Sequence, residues 1–211
     1  MKTSRVTSFL LALITVVGLA GSALAVAQGE WQFLKAEENI HVWKLEIPGQ
    51  DLPGFRGQTV INGSIDDVME TMLRWQEHTK WMYRCKESLL VKRIDDSHAI
   101  MYNRTEAPWP VTDRDVVLKS VITRSPDAKQ VHLNFATTES SLKPEIEGVV
   151  RMPRLVGFYK LWQLEGNKTK VLYQVEADIG GSIPKWLSAL AAQDLPYRTL
   201  SKLRERVEAA H

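Results

Sequence analysis

Apolar and polar residues alternate with a period of two over much of the chain's second half. In Asp113 to Thr123, Arg114, Val116, Leu118, Ser120 and Ile122 share one face of an extended segment, and Asp115, Val117, Lys119, Val121 and Thr123 share the other. Val131, Leu133 and Phe135 line one face of Gln130 to Thr138, beyond the turn Ser125-Pro126-Asp127. Val156, Phe158 and Trp162 share a face of Val156 to Leu164, with Lys160 among them, and Glu165-Gly166-Asn167 turns the chain into Lys170 to Asp178. Leu89 to Ile94 and Ala99 to Thr105 flank Asp95-Asp96-Ser97. His41 to Ile47 and Phe55 to Ile61 are separated by Pro48-Gly49 and Pro53-Gly54, and a further strand is expected around Ile146 to Arg151. About eight or nine strands joined by such short turns favour an antiparallel meander, because parallel neighbours need long crossovers.

Two stretches change period. Ile65, Val68, Met69, Met72 and Leu73 recur at helical spacing behind Ser64, with Asp66 and Asp67 in the first turn, so a helix is expected from Ser64 to about Glu77 or His78. Trp186, Leu187, Leu190, Ala191, Leu200, Leu203 and Val207 form an interrupted stripe over Pro184 to Val207. Pro184 suits its first turn, while Pro196 predicts a kink near Ala192 or two helices end to end. Trp31 to Lys35 reads as a short remnant helix. A curved sheet with one apolar face could close around the last helix or simply pack against it; alternation alone leaves hollow and filled interiors open.

The N-terminus adds a compartment. Lys2 and Arg5 precede the apolar run Phe9 to Ala20, and Ala23-Leu24-Ala25 supplies small residues for cleavage after Ala25, the layout of a secretory signal peptide. Residues 26–211 then form a single domain, and a periplasmic location is expected. Removing Lys2 and Arg5 takes the 27 basic residues to 25, equal to the 25 acidic ones. That balance, without a basic stripe, argues against nucleic acid. The single cysteine, Cys85, excludes an intramolecular disulfide and a zinc-thiolate cluster; it reads as a buried small residue, an exposed thiol or a dimer bridge being the alternatives.

Two motifs carry the strongest signal. Pro108-Trp109-Pro110-Val111-Thr112-Asp113-Arg114-Asp115-Val116-Val117 runs a rigid aromatic loop into an apolar strand. Gly180-Gly181-Ser182-Ile183-Pro184-Lys185-Trp186-Leu187 is a glycine turn opening the last helix. Together with the strand Val171 to Asp178, and with Pro196, Leu200 and Leu203-Arg204 in the final helix, they resemble the StAR-related lipid-transfer (START) domain, from about Trp31 to Val207.

That resemblance implies an α+β helix-grip fold: a curved antiparallel sheet wrapped around a long C-terminal helix, with an internal lipid-sized cavity. It implies lipid binding and transfer between membranes, one hydrophobic ligand being held in a tunnel gated by the C-terminal helix and the 105–113 loop. Candidate cavity or lid residues are Tyr102, Arg104, Trp109, Arg114, Phe135, Trp162, Trp186, Leu187, Leu190 and Ala191. Arg104 and Arg114 are placed to meet a headgroup, although Arg114 could instead brace the loop through Asp113 or another carboxylate. Trp75, Trp81 and Trp162 read as core packing ahead of ligand platforms. Trp109 either covers the tunnel mouth or dips into a membrane surface. Partners are then a lipid or other hydrophobic molecule and, transiently, a membrane surface, for a monomer without cofactor or metal.

Catalytic signatures are absent from the sequence. His41, His78, His98, His132 and His211 are scattered without metal-ligand spacing, and no Gly-x-Ser-x-Gly elbow or phosphate loop occurs. The helix-grip resemblance also admits cyclases and aromatases, so a modifying enzyme using the same cavity is one alternative. An envelope interaction module with a filled core is the other.

Overall fold

The computed structural model describes residues 29–50, 52–181 and 185–210, with backbone alone for 185–193. The signal-peptide expectation and those on Ser182, Ile183, Pro184 and His211 lie outside the described residues. The alternating segments all enter one sheet: β1 (Gln32–Glu37), β2 (Ile40–Leu45), β3 (Gly54–Asn62), β4 (Cys85–Arg93), β5 (His98–Thr105), β6 (Arg114–Arg124), β7 (Gln130–Thr137), β8 (Val150–Arg151), β9 (Arg154–Leu164) and β10 (Lys168–Asp178). Their order is β1-β2-β3-β10-β9-β7-β6-β5-β4, antiparallel throughout, with β8 attached in parallel to β6. Pairing of β3 with β10 joins the chain's first strands to its last one. The sheet is thereby brought around α2 (Lys185–Glu208), which packs chiefly on β3 and also meets β2 and β10.

Ser64 caps α1 (Ile65–Leu73) through a full capping box: its hydroxyl accepts from the Asp67 N–H, and the Asp67 carboxylate accepts from the Ser64 N–H at 2.7 Å. Ile65, Val68, Met69 and Met72 bury one stripe. The helix ends at Leu73, earlier than expected, and a 3-10 segment follows over Trp75–Lys80. His78 Nε2 lies 2.7 Å from the Met72 carbonyl, an acceptor that a continuing α-helix would have given to its own backbone.

Three further expectations are corrected. Trp31 to Lys35 is no helix; β1 occupies Gln32–Glu37 and pairs with β2 across a bulge between Phe33 and Lys35. Edge pairing supplies hydrogen bonds that so short a segment cannot advertise. The strand expected over Ile146 to Arg151 shrinks to Val150–Arg151. The last helix runs unbroken through Pro196, which rules out the alternative of two helices end to end. Gly57 makes room there, since a Cβ on it would stand 2.7 Å from Leu200 Cδ1 and 3.1 Å from Pro196 Cβ. Leu200, Leu203 and Val207 are fully buried with Ile40, Val42, Ile61 and Val171, so the second half of α2 is fixed firmly to the sheet.

Candidate functional site

A cavity of about 270 Å³ lies between the concave sheet, the α1 and 3-10 side, and α2. Period two assigns its walls. Met101, Asn103 and Thr105 of β5, Arg114, Val116 and Leu118 of β6, Leu133 and Phe135 of β7, Leu155 and Tyr159 of β9, and Tyr173, Val175 and Ala177 of β10 all face it. Trp75, His78 and Trp81 close one side. Leu195 and Thr199 of α2 close another, and Ala107, Pro108 and Val111 of the β5–β6 loop form the rim.

Arg114 is the buried charge of this wall, only 6% exposed. One guanidinium nitrogen donates to the Thr112 carbonyl and another to the Gly180 carbonyl at 3.4 Å, while Nε has no partner among the described residues. No carboxylate among the described residues forms an ion pair with it. Burial lowers its pKa, and nearby Asp113 acts in the opposite direction. Gly180 and Gly181, at φ +64° and +68°, hold the left-handed turn beside it that a side chain would strain.

Deeper in the wall, Tyr159 and Tyr173 stack with centroids 4.5 Å apart and planes 11° from parallel. Burial pushes both phenols well above their ordinary pKa. Their hydroxyls are near enough to influence each other, yet the Tyr159 hydroxyl forms no hydrogen bond of normal geometry with any described residue. The indole N–H groups of Trp75 and Trp81 are likewise buried without a partner among the described residues. His78 sits edge-on between those rings, centroids 5.4 and 5.0 Å away. A carbonyl can only accept, so Nε2 carries the proton towards Met72, and Nδ1 accepts from the Ser88 hydroxyl at 3.1 Å. Among the described residues no group of three His, Cys, Asp or Glu side chains could hold a metal, and no helix is long and apolar enough to cross a membrane.

Of the residues singled out from sequence, Arg114 and Phe135 line the cavity. Tyr102, Arg104 and Trp162 do not, and are corrected. The β5–β6 register pairs Thr105 with Arg114 and Arg104 with Asp115, which turns Tyr102 and Arg104 to the sheet's other face. There the Tyr102 hydroxyl donates to Asp115 at 3.1 Å, and Arg104 binds Asp113 at 2.7 Å. Asp113, the carboxylate expected to brace Arg114, is engaged by Arg104 instead. Trp162 shares the convex side of β9 with Lys160, and Lys170 of β10 lies over its ring at 5.5 Å. Trp109 is 90% exposed at the loop tip, so it does not cover the mouth; Pro108 and Val111 do the lining. Trp186, Leu187, Leu190 and Ala191 fall within α2, but their side chains lie outside the described residues.

Sequence reasoning missed Tyr159 and Tyr173. Both faces of β9 are apolar, so alternation did not say which one was concave. Gly157 was the usable signal, being the position in that strand where a partner ring can lie flat against backbone.

A START domain model matches residues 23–206. An uncharacterized protein of Pseudomonas aeruginosa, PA1579, is 34% identical over 194 residues, covering 92% of this chain and 93% of its own. A solved STAR-related lipid transfer protein fragment from Xanthomonas axonopodis aligns with a TM-score of 0.75 at 29% identity, over 84% of this chain and 98% of that one. Human StAR-related lipid transfer protein 5 has the same fold, with a TM-score of 0.75 at 20% identity over 86% and 88% of the two chains. On this evidence the chain belongs to the START domain family.

Proposed function

We propose that this START-domain protein binds one slender amphiphile, its chain in the cavity and its anionic group at Arg114, and carries it between membranes of the cell envelope. The observation that carries the reading is an apolar cavity whose wall holds a buried guanidinium with no carboxylate partner among the described residues. A buried cation is costly unless an anion or hydrogen bonds compensate it, and two carbonyls compensate this one only in part. Each methylene moved from water into the cavity contributes roughly 0.8 kcal/mol. A volume of about 270 Å³ is small beside the roughly 300–1,000 Å³ of most small-molecule sites, which favours a narrow chain over a bulky ring system.

Exchange requires an opening. The left-handed pair Gly180 and Gly181 precedes α2, so a swing of the helix's start about that turn, together with the β5–β6 loop, would be the gate. Trp109, exposed on that loop, would enter the membrane surface during exchange. Export through the N-terminal segment, with cleavage after Ala25, would put the carrier in the periplasm.

Native mass spectrometry and solvent extraction of the mature protein test the reading, together with uptake of octadecanoate and its methyl ester. Wild type should prefer the acid. Arg114→Gln should lose that preference, weakening acid binding about tenfold or more while leaving the ester unchanged. Trp109→Ala should slow transfer between vesicles without changing uptake. Protein that is always empty and takes up none of these probes would sink the proposal.

A further inference from the structure

Resting on the carrier reading, the wall beside Arg114 carries a second polar group that narrows the ligand. Asn103 lies on the cavity face of β5, where Thr105 pairs with Arg114 and Asn103 pairs with Val116. Asn103 and Arg114 are therefore diagonal neighbours on adjacent strands, roughly 7–8 Å apart. Asn103 is 6% exposed, and two sulfurs set the orientation of its carboxamide. Nδ2 stands 3.7 Å from Cys85 Sγ and 3.9 Å from Met82 Sδ. A thioether can only accept, and the Cys85 thiol donates its one proton to the Glu87 carbonyl at 3.5 Å, so both sulfurs draw the amide N–H groups. Oδ1 is thereby turned away from them. It accepts from no described residue, and unlike the indole N–H groups of Trp75 and Trp81 it is not sealed inside the wall. His78, joined to this wall through Ser88, has both ring nitrogens engaged and leaves Oδ1 unanswered.

We infer that Asn103 Oδ1 is a subsite for a hydroxyl carried close to the ligand's anionic group, so that the ligand is a long-chain hydroxy acid with its hydroxyl within a few carbons of the carboxylate. An unsubstituted chain would cover the oxygen with methylenes and leave a buried acceptor unpaired, a costly condition. A charged ammonium donor would need a carboxylate beside it. Among the described lining residues the only carboxylate is Glu106, exposed on the rim, so the donor is neutral. The short separation of Asn103 from Arg114 then fixes where the hydroxyl sits, because one ligand must meet both groups at once.

Affinities of octadecanoate and of hydroxyoctadecanoates, measured by native mass spectrometry, test this. Wild type should bind at least one acid hydroxylated on the second to fifth carbon about tenfold more tightly than octadecanoate, with no such gain for a hydroxyl on the twelfth carbon. The O-methyl ether of the preferred acid keeps the oxygen but has no proton to donate, so it should lose the gain. Asn103→Leu, close in size and without an acceptor, should bring the hydroxy acid and octadecanoate level. Equal affinity for every acid, a gain only for the twelfth carbon, or a gain kept by the ether or by Asn103→Leu overturns the subsite while leaving the carrier reading intact. If Asn103→Leu does not fold, the ether measured on wild type decides alone. Failure of wild type to bind any of the acids, octadecanoate included, overturns both readings.

Discussion

The ring of Phe135 lies across Gly157, its directly paired neighbour in the β7–β9 ladder: a Cβ there would stand 2.6 Å from Phe135 Cζ and 2.3 Å from the Gln174 carbonyl oxygen. Only the absence of a side chain lets the ring lie against backbone and leave the cavity open beside it. Gly157→Ala must displace either the ring into the lumen or the β10 backbone. A loss of about 1–3 kcal/mol in urea unfolding is expected, with reduced lipid uptake. An unchanged midpoint would show that the sheet absorbs the methyl group freely.

Much of the architecture was legible because period two and turn chemistry are local. Arg114, Val116 and Leu118 face the cavity as their alternation requires, and Asp95 closes the β4–β5 turn by accepting from the Ser97 and His98 amides. What failed was non-local. Tyr102 and Arg104 are expected at the cavity or its lid, but their face is set by pairing with Val117 and Asp115, a register that no single strand encodes. On β9 both Phe158 and Tyr159 are buried, on opposite sides of the sheet, so hydrophobicity could not choose between Trp162 and Tyr159 as the cavity residue. β1 was misread because an edge strand is stabilised by its neighbour rather than by its own pattern.

Asp113 closes the rim loop on itself. Its carboxylate accepts from Arg104 Nε at 2.9 Å, from Lys86 at 3.2 Å and from the Ala107 N–H at 3.2 Å. Burial opposes its ionisation, but Arg104, the Ala107 N–H and Lys86 outweigh that and hold the carboxyl below its ordinary pKa. The clasp is therefore complete above the unfolded aspartate value of about 3.9 and is lost as pH falls through the lower folded value. Asp113→Asn should cost about 1.5–3 kcal/mol at neutral pH and speed hydrogen exchange at the Ala107 amide. Unaltered exchange there would remove Asp113 from control of the loop.

Asp115 ties the segment between β7 and β8 to the sheet's outer face. It is 0% exposed, bonded by Arg151 Nε at 2.6 Å and by the Tyr102 hydroxyl at 3.1 Å; Arg151 in turn reaches the Pro144 carbonyl at 3.2 Å. Asp115→Ala strands a cation and a phenol together and should cost about 3–5 kcal/mol. Tyr102→Phe deletes one neutral donor and should cost only about 1 kcal/mol. If the two variants unfold at the same denaturant concentration, the ion pair is not what ties residues 139–149 to the sheet.

His78 couples the cavity wall to pH. It is 3% exposed, and burial lowers its pKa more strongly than the Met72 carbonyl raises it. Below about pH 6.5 the unfolded chain takes up a proton at this residue while the folded protein does not. The unfolded state then binds more protons, so stability falls as pH drops from about 6.5 towards the folded value. His132 shifts in the same direction, through burial and the nearby Lys160, and adds to the slope. Thermal unfolding of wild type should therefore weaken steadily between pH 7 and pH 5. His78→Gln cannot span Met72 and Ser88 as the ring does, so it should be less stable at pH 7, yet its pH slope should be shallower. His132→Asn, measured alongside, isolates the second contribution. Parallel curves for wild type and His78→Gln would mean that the ring between Trp75 and Trp81 titrates alike in both states, against the reading of a neutral, built-in histidine.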